Sequence, residues 1–198
     1  MVKETTIGVL ALQGDFLEHL QTLKRLGVTT KEILLPKDLE GIDGIIFPGG
    51  ESTTIANLLD VFAMREPLTE KVKCGLPVWG TCAGMILLAK QLVQDRPTPL
   101  GLMNIVVDRN AFGRQIDSFT VPLIIKQTRD KQINATFIRA PLIKKAGPNV
   151  TVLAKLDDGT IVAAQEKHML ATAFHPELTR DTSMHEYFLS LVEGRKKS

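Results

Sequence analysis

The 198-residue chain is poor in cysteine, with only Cys74 and Cys82, and has one tryptophan and one tyrosine. Two cysteines make no disulfide framework, and neither has partners at metal-ligand spacing, which argues against a zinc site. No apolar run approaches the roughly 18 residues that a membrane span needs. The N-terminal Met1 to Thr6 lacks a signal-peptide pattern and leads straight into an apolar run. Charge of one sign is also missing. The formal net charge is +2, so neither nucleic acid nor an anionic membrane is implied as a partner. The basic end at Arg195 and Lys196 reads as solvated. These absences lead to an expected reducing cytosolic compartment and no metal or cofactor. The sequons at Asn134 and Asn149 then read as chance matches. No internal repeat is visible. Hydrophobic and charged contents of 44% and 23% are ordinary for a globular protein, and the length suits one domain over 1–198 with a substantial core.

What is present is organised around Gly80-Thr81-Cys82-Ala83-Gly84, which follows the apolar Leu76 to Trp79 and precedes Met85-Ile86-Leu87-Leu88. Strand, sharp turn, helix with G-x-C-x-G at the bend is the thiol version of a nucleophile elbow. A nucleophile lifted off a strand end sits on a strained bend where flanking side chains would collide, and glycine at both flanks removes the collision. The N–H groups opening the next helix face the sulfur, favouring thiolate and an oxyanion. The pentapeptide is short, and a free cysteine that merely packs in such a turn is the plain alternative.

Thr6 to Leu12 is a near-continuous apolar run, as for a central parallel strand covered on both faces. It ends at Gln13-Gly14, after which Asp15 is placed to cap a helix with Phe16, Leu20 and Leu23 on one face. Lys31 to Leu35 and Gly44 to Phe47 read as further strands. The third runs into Pro48-Gly49-Gly50-Glu51-Ser52-Thr53, a turn whose glycines free backbone N–H groups for a ligand and whose Ser52 or Thr53 can cap the next helix. Ligands collect at such strand ends. A short helix over Pro67 to Lys73 precedes the elbow, and an apolar helix is expected from Ala83 to about Val93. Strands follow at 103–108, 119–125, 135–138, 150–156, 161–165 and 170–174, with Asp157-Asp158-Gly159 as a hairpin turn, and a last helix begins near Thr182. The order predicts an α/β fold, a largely parallel sheet with helices on both faces and an antiparallel extension.

A catalytic thiol needs a base, and histidine serves near neutral pH. Of His19, His168, His175 and His185, only His175 directly follows an apolar strand, with Pro176 stiffening the turn and Glu177 two residues on. A carboxylate there can accept a hydrogen bond from the imidazole N–H facing away from sulfur and fix the tautomer. His19 and His185 read as surface residues of amphipathic helices and His168 as exposed in a polar turn. Cys82, His175 and Glu177 are thus the expected triad, with N–H groups of Ala83 and of the Gly49-Gly50 turn as the oxyanion site.

With these residues in place, the sequence resembles the class I, triad-type glutamine amidotransferases, and among them the glutaminase subunits of pyridoxal 5'-phosphate synthases. The resemblance runs end to end. It rests on Gly8 to Gly14 with Glu18-His19, Pro48 to Thr54, Gly80 to Gly84, Arg109-Asn110 with Phe112-Gly113-Arg114-Gln115, Phe137 to Pro141, and Phe174 to Thr179. It implies a three-layer flavodoxin-like fold and hydrolysis of L-glutamine to glutamate and ammonia. Glutamine would be held by Gly50, Glu51, Ser52, Arg109, Ile138 and Arg139, with Gly50 and Ala83 at the oxyanion hole. An arginine suits the α-carboxylate and Glu51 the α-ammonium; which arginine does so stays open. The resemblance further implies ammonia transfer to a synthase subunit of barrel fold, with Gln13 tied to activation by docking; a plain polar cap is the other reading of Gln13. Two alternatives remain at this point: the glutaminase subunit of another pathway, and a catalytically inactive flavodoxin-like interaction module. A dienelactone-hydrolase-type cysteine enzyme fits poorly, because its acid would precede the histidine.

Overall fold

An apolar run is what a strand needs when both faces are covered, and β1 (Thr6–Leu10) sits in the middle of such a sheet, its last four residues buried. The computed structural model describes residues 4–109, 118–128 and 132–196. After β1 come α1 (Phe16–Arg25), β2 (Thr29–Ile33), β3 (Gly44–Phe47), α2 (Ser52–Val61), α3 (Arg65–Lys73), β4 (Val78–Thr81), α4 (Ala83–Leu88) and β5 (Ala89–Leu92). Then follow β6 (Met103–Asp108), β7 (Ser118–Ile124), β8 (Gln132–Ile138), β9 (Leu142–Ala146), β10 (Thr151–Lys155), β11 (Ile161–Glu166), β12 (Met169–Thr172) and α5 (Ser183–Lys196).

One sheet runs in the order β2-β1-β3-β4-β12-β11-β9-β6-β5, with β10 added against β11. The five strands from β2 to β12 are parallel; β11 pairs antiparallel with β12, β10 and β9, as does β9 with β6. This is the expected doubly wound α/β sheet of flavodoxin-like order with its antiparallel extension. β7 and β8 form a separate antiparallel hairpin. On one face α1 meets α5, while α2 and α4 pack together. Trp79, Phe47, Phe137, Phe174 and Phe188 are the largest fully buried side chains. No helix among the described residues is long and apolar enough to cross a membrane.

Two elements differ from expectation. The helix expected to reach Val93 stops at Leu88. The returning chain takes its last carbonyls, with the N–H groups of Leu100 and Leu102 donating to Leu87 and Leu88 at 2.7 and 3.1 Å. Residues 89–92 then extend as β5, parallel to β6, with exposed Lys90 and Gln91 between buried Ala89 and Leu92. A further strand, β9, follows directly on Pro141, a position where proline costs the ladder nothing. The Asp157-Asp158-Gly159 turn does join β10 to β11, with Gly159 at φ +85°.

Candidate active site

Four parallel strand ends, those of β1, β3, β4 and β12, converge on one cleft that the ends of β6 and β8 also border. At the end of β4 Cys82 adopts φ 47°, ψ −103°, a left-handed conformation that an L-residue holds only under constraint. Its N–H donates to the Thr172 carbonyl at 2.8 Å, tying the elbow to β12. The flanking glycines are sterically required. A Cβ at Gly80 would lie 2.5 Å from the Gly84 carbonyl, and one at Gly84 would lie 2.0 Å from the Phe47 oxygen. Ala83 opens α4, where helix geometry leaves the first N–H groups without intrahelical acceptors.

β12 delivers His175 through buried Ala173 and Phe174, and the His175 N–H donates to the Thr136 carbonyl of β8 at 2.8 Å. The imidazole is buried. Its Nδ1 lies 2.7 Å from Glu177 Oε1 and 3.3 Å from Asp15 Oδ2, and the ring shares the cleft with the Cys82 thiol. With Nδ1 committed to carboxylates, Nε2 is left for sulfur. Burial opposes charge on this ring, but the neighbouring Asp15, Cys82 and Glu177 outweigh that and push its pKa up to about 12. Burial raises the Glu177 carboxyl, against the lowering effect of His175. Cys82 Sγ also approaches the Ile138 carbonyl at 4.0 Å, so the β8 end borders the sulfur.

The cleft, about 440 Å³, is lined by Cys82 and His175 together with Gly50, Glu51, Ser52, Arg109, Ile138 and Arg139. All six expected glutamine-binding residues therefore share one cavity with the thiol. Arg109 is braced on the wall, its Nη1 donating to the Arg96 carbonyl at 2.6 Å and its Nη2 lying 3.3 Å from Thr53 Oγ1 and 3.5 Å from Glu51 Oε1. Arg139, at φ +41°, is exposed on the opposite rim. The Phe112-Gly113-Arg114-Gln115 segment and Asn110 lie outside the described residues.

Four assignments change. The cap of α2 is Glu51 rather than Ser52 or Thr53: its carboxylate accepts from the Thr53 and Thr54 N–H groups at 3.1 and 2.6 Å. Burial works against that charge, but these N–H bonds hold the carboxyl below its ordinary range. Asp15 stands at the N-cap of α1 but makes no side-chain cap bond; it faces His175 instead. Neither His19 nor His185 is a surface residue, since both are fully buried. His19 Nδ1 lies 3.0 Å from His185 Nε2, and His19 Nε2 lies 3.2 Å from Thr81 Oγ1. The periodicity held the signal. His19 falls between Phe16, Leu20 and Leu23 on the apolar stripe of α1, and His185 is three and seven residues before Phe188 and Val192. His168 is half-buried, with Nε2 at 2.8 Å from the Val72 carbonyl. Gln13 Oε1 accepts the Glu51 N–H at 2.8 Å, which clamps the Gly49-Gly50 turn to the end of β1.

Asp15, His175 and Glu177 offer ligand atoms within 4.8 Å of one another, a spacing that could hold a cation. Here the imidazole nitrogen already lies between the two carboxylates, so the cluster is a hydrogen-bonded network around His175.

Residues 9–194 match the SNO glutamine amidotransferase family. The chain is 56% identical to pyridoxal 5'-phosphate synthase subunit PdxT of Carboxydothermus hydrogenoformans, over 94% of this chain and 97% of that protein. It is 52% identical to the same subunit of Dehalococcoides mccartyi, over 96% and 98%. A crystal structure described as a glutamine amidotransferase superposes with a TM-score of 0.89 at 44% identity, covering 94% of this chain and 98% of that one. The structure of PurLQS from Thermotoga maritima shares the fold, at TM-score 0.71 and 15% identity over 96% and 99%.

Proposed function

The chain belongs to the SNO glutamine amidotransferase family, and from that premise we propose that it is the glutaminase subunit of a pyridoxal 5'-phosphate synthase, with Cys82, His175 and Glu177 as its triad. It hydrolyses L-glutamine to glutamate and ammonia, and the ammonia serves vitamin B6 synthesis. The observation that carries the residue assignment is the imidazole of His175, lining one cleft with the Cys82 thiol and held 2.7 Å from Glu177.

Cys82 sulfur attacks the carboxamide carbon, and the oxygen takes the negative charge beside the N–H groups of Ala83 and Gly50. His175 passes its proton to the departing ammonia, leaving a glutamyl thioester. It then takes a proton from water, which attacks the thioester and frees glutamate. Glu177 keeps the ring in the right tautomer and stabilises its charged form. Gly50, Glu51, Ser52, Arg109, Ile138 and Arg139 form the glutamine site. The partner is the synthase subunit, of barrel fold, and the chain acts with it in the cytosol as a single 1–198 domain. Gln13, through its hold on the Glu51 N–H, ties the oxyanion turn to β1 and is the residue through which docking acts on it.

Two measurements test this. A glutamine-analogue electrophile is expected to label Cys82 covalently, and ammonia release from glutamine is expected to rise when the synthase subunit is added. Labelling elsewhere, or no turnover with the partner present, overturns the assignment.

A further inference from the structure

The triad's carboxylate has two oxygens, and the reaction above uses one. Glu177 Oε1 serves His175; Oε2 is buried and makes no hydrogen bond. An unpaired carboxylate oxygen in the interior is costly. The group facing it is His19, whose Nε2 lies 3.5 Å from Oε2 as well as 3.2 Å from Thr81 Oγ1. Behind His19 stands His185, with Nε2 3.0 Å from His19 Nδ1, and its own Nδ1 is buried and unpaired. Trp79 packs edge-on against both rings. Apolar side chains at 19 and 185 would fill this core without polar cost, yet two imidazoles occupy it in line with Glu177.

Two proton arrangements satisfy the bond between the rings. In one, His19 donates from Nδ1 to His185. Its bare Nε2 lone pair then faces a carboxylate, and the unpaired Nδ1 of His185 is a buried N–H. In the other, His185 donates from Nε2 to His19 Nδ1, and His19 presents Nε2–H to Glu177 and Thr81. Both ring dipoles then point their positive ends at the carboxylate, and the orphan on His185 is an acceptor, the less costly kind to leave unpaired. The second arrangement is electrostatically favoured.

We propose that His19 is a positioning residue for the triad, held by His185 as the Nε2–H tautomer so that it braces the second oxygen of Glu177. The inference rests on the triad reading above. Catalytic hydrogen bonds are commonly long in a resting enzyme and tighten in the reacting complex, so the 3.5 Å separation suits a brace that draws in when glutamine is bound. Both rings remain neutral in this role. Burial, and the nearby His185 and His175, lower the pKa of His19. Burial also lowers that of His185, with Arg25 acting in the same direction and Asp181 against it.

Nitrogen-15 shifts of the histidine rings in the unmodified chain test the tautomer directly. Neutral Nε2–H forms of both His19 and His185 are expected at neutral pH; a His19 Nδ1–H form overturns the proposal. The kinetic arm uses the chain with its synthase partner and measures ammonia release. A glutamine amide nitrogen overlays Nε2 of histidine and an asparagine amide nitrogen overlays Nδ1. His19→Asn therefore removes the donor facing Glu177, and His19→Gln keeps it. His19→Asn is expected to lower kcat by roughly 10- to 100-fold with KM for glutamine little changed, and His19→Gln to recover most of that loss. Equal losses in both variants, tracking their Tm, or an unaltered kcat in His19→Asn, overturn the proposal. Should neither variant fold, the ring shifts decide. If the electrophile fails to label Cys82 in the unmodified chain, the triad reading falls; labelling together with the wrong His19 tautomer removes only this inference.

Discussion

At the scale of single residues, the proposed mechanism depends on how one imidazole is shared. His175 Nδ1 has two carboxylates, Glu177 at 2.7 Å and half-exposed Asp15 at 3.3 Å. The shorter, buried contact fixes the ring, and the longer one adds negative charge from the solvent side. Glu177→Gln is therefore expected to cut kcat by about 10²- to 10⁴-fold, and Asp15→Asn by less than about tenfold. Asp15→Asn should nonetheless lower the pKa of His175, read by NMR titration of its ring. Cys82→Ala is expected to abolish turnover, by roughly 10³-fold or more, with Tm close to that of the unmodified chain. Full activity in that variant would remove the thiol from the mechanism. The elbow and His175-x-Glu177 were legible in the sequence because their geometry is local: two glycines around a cysteine, a carboxylate two residues from a histidine. The pairing of Asp15 with His175 was not, because 160 residues separate them and only the sheet brings their strand ends together.

At the scale of elements, the site is built from turns that follow parallel strands, and glycine sets how closely they approach. A Cβ at Gly49 would lie 2.3 Å from His175 Cε1. Gly49→Ala must displace either the ring or the oxyanion turn, so a kcat loss of at least about tenfold is expected at nearly unchanged Tm, measured by ammonia release beside thermal unfolding. The β7–β8 hairpin, outside the main sheet, supplies the Thr136 carbonyl to the His175 N–H and the Ile138 carbonyl near the sulfur. Its strands were readable from their alternation, but not that its carbonyls line the catalytic turn. The end of α4 was misread for a related reason. The apolar run from Ala83 to Ala89 suits a helix or a buried strand equally well, and the partners in β6 decide for strand after Leu88.

For the whole molecule, buried histidines set opposite limits on stability. His185, its pKa pushed down to about 3 from 6.5, and His19, also lowered, are neutral in the fold. The unfolded chain binds protons there first, so their contribution is complete above pH 6.5 and is lost as pH falls toward 3. His175 runs the other way. With a folded pKa of about 12, its contribution is complete below pH 6.5 and declines as pH rises toward 12. Burial raises the Glu177 carboxyl, which offsets part of the acid loss. Tm measured against pH should accordingly be highest between these limits. His185→Gln should flatten the acid limb and leave the alkaline limb in place; an unchanged acid limb would show that His185 does not govern it.

Most strands and helices, the parallel centre, the glycine-flanked cysteine, the histidine–carboxylate pair and the glycine turn were determined by the sequence, since each rests on short-range pattern: apolar runs, glycine spacing, a carboxylate beside a histidine; β5 and β9 were not. The tertiary structure alone decided that His19 and His185 turn inward. A histidine on an apolar stripe reads as polar until something pays its desolvation, and here that something is another histidine 166 residues away. Contacts of that range are made only when β1, β3, β4 and β12 lie side by side and lay α1 against α5, because no local segment holds both partners of the bond.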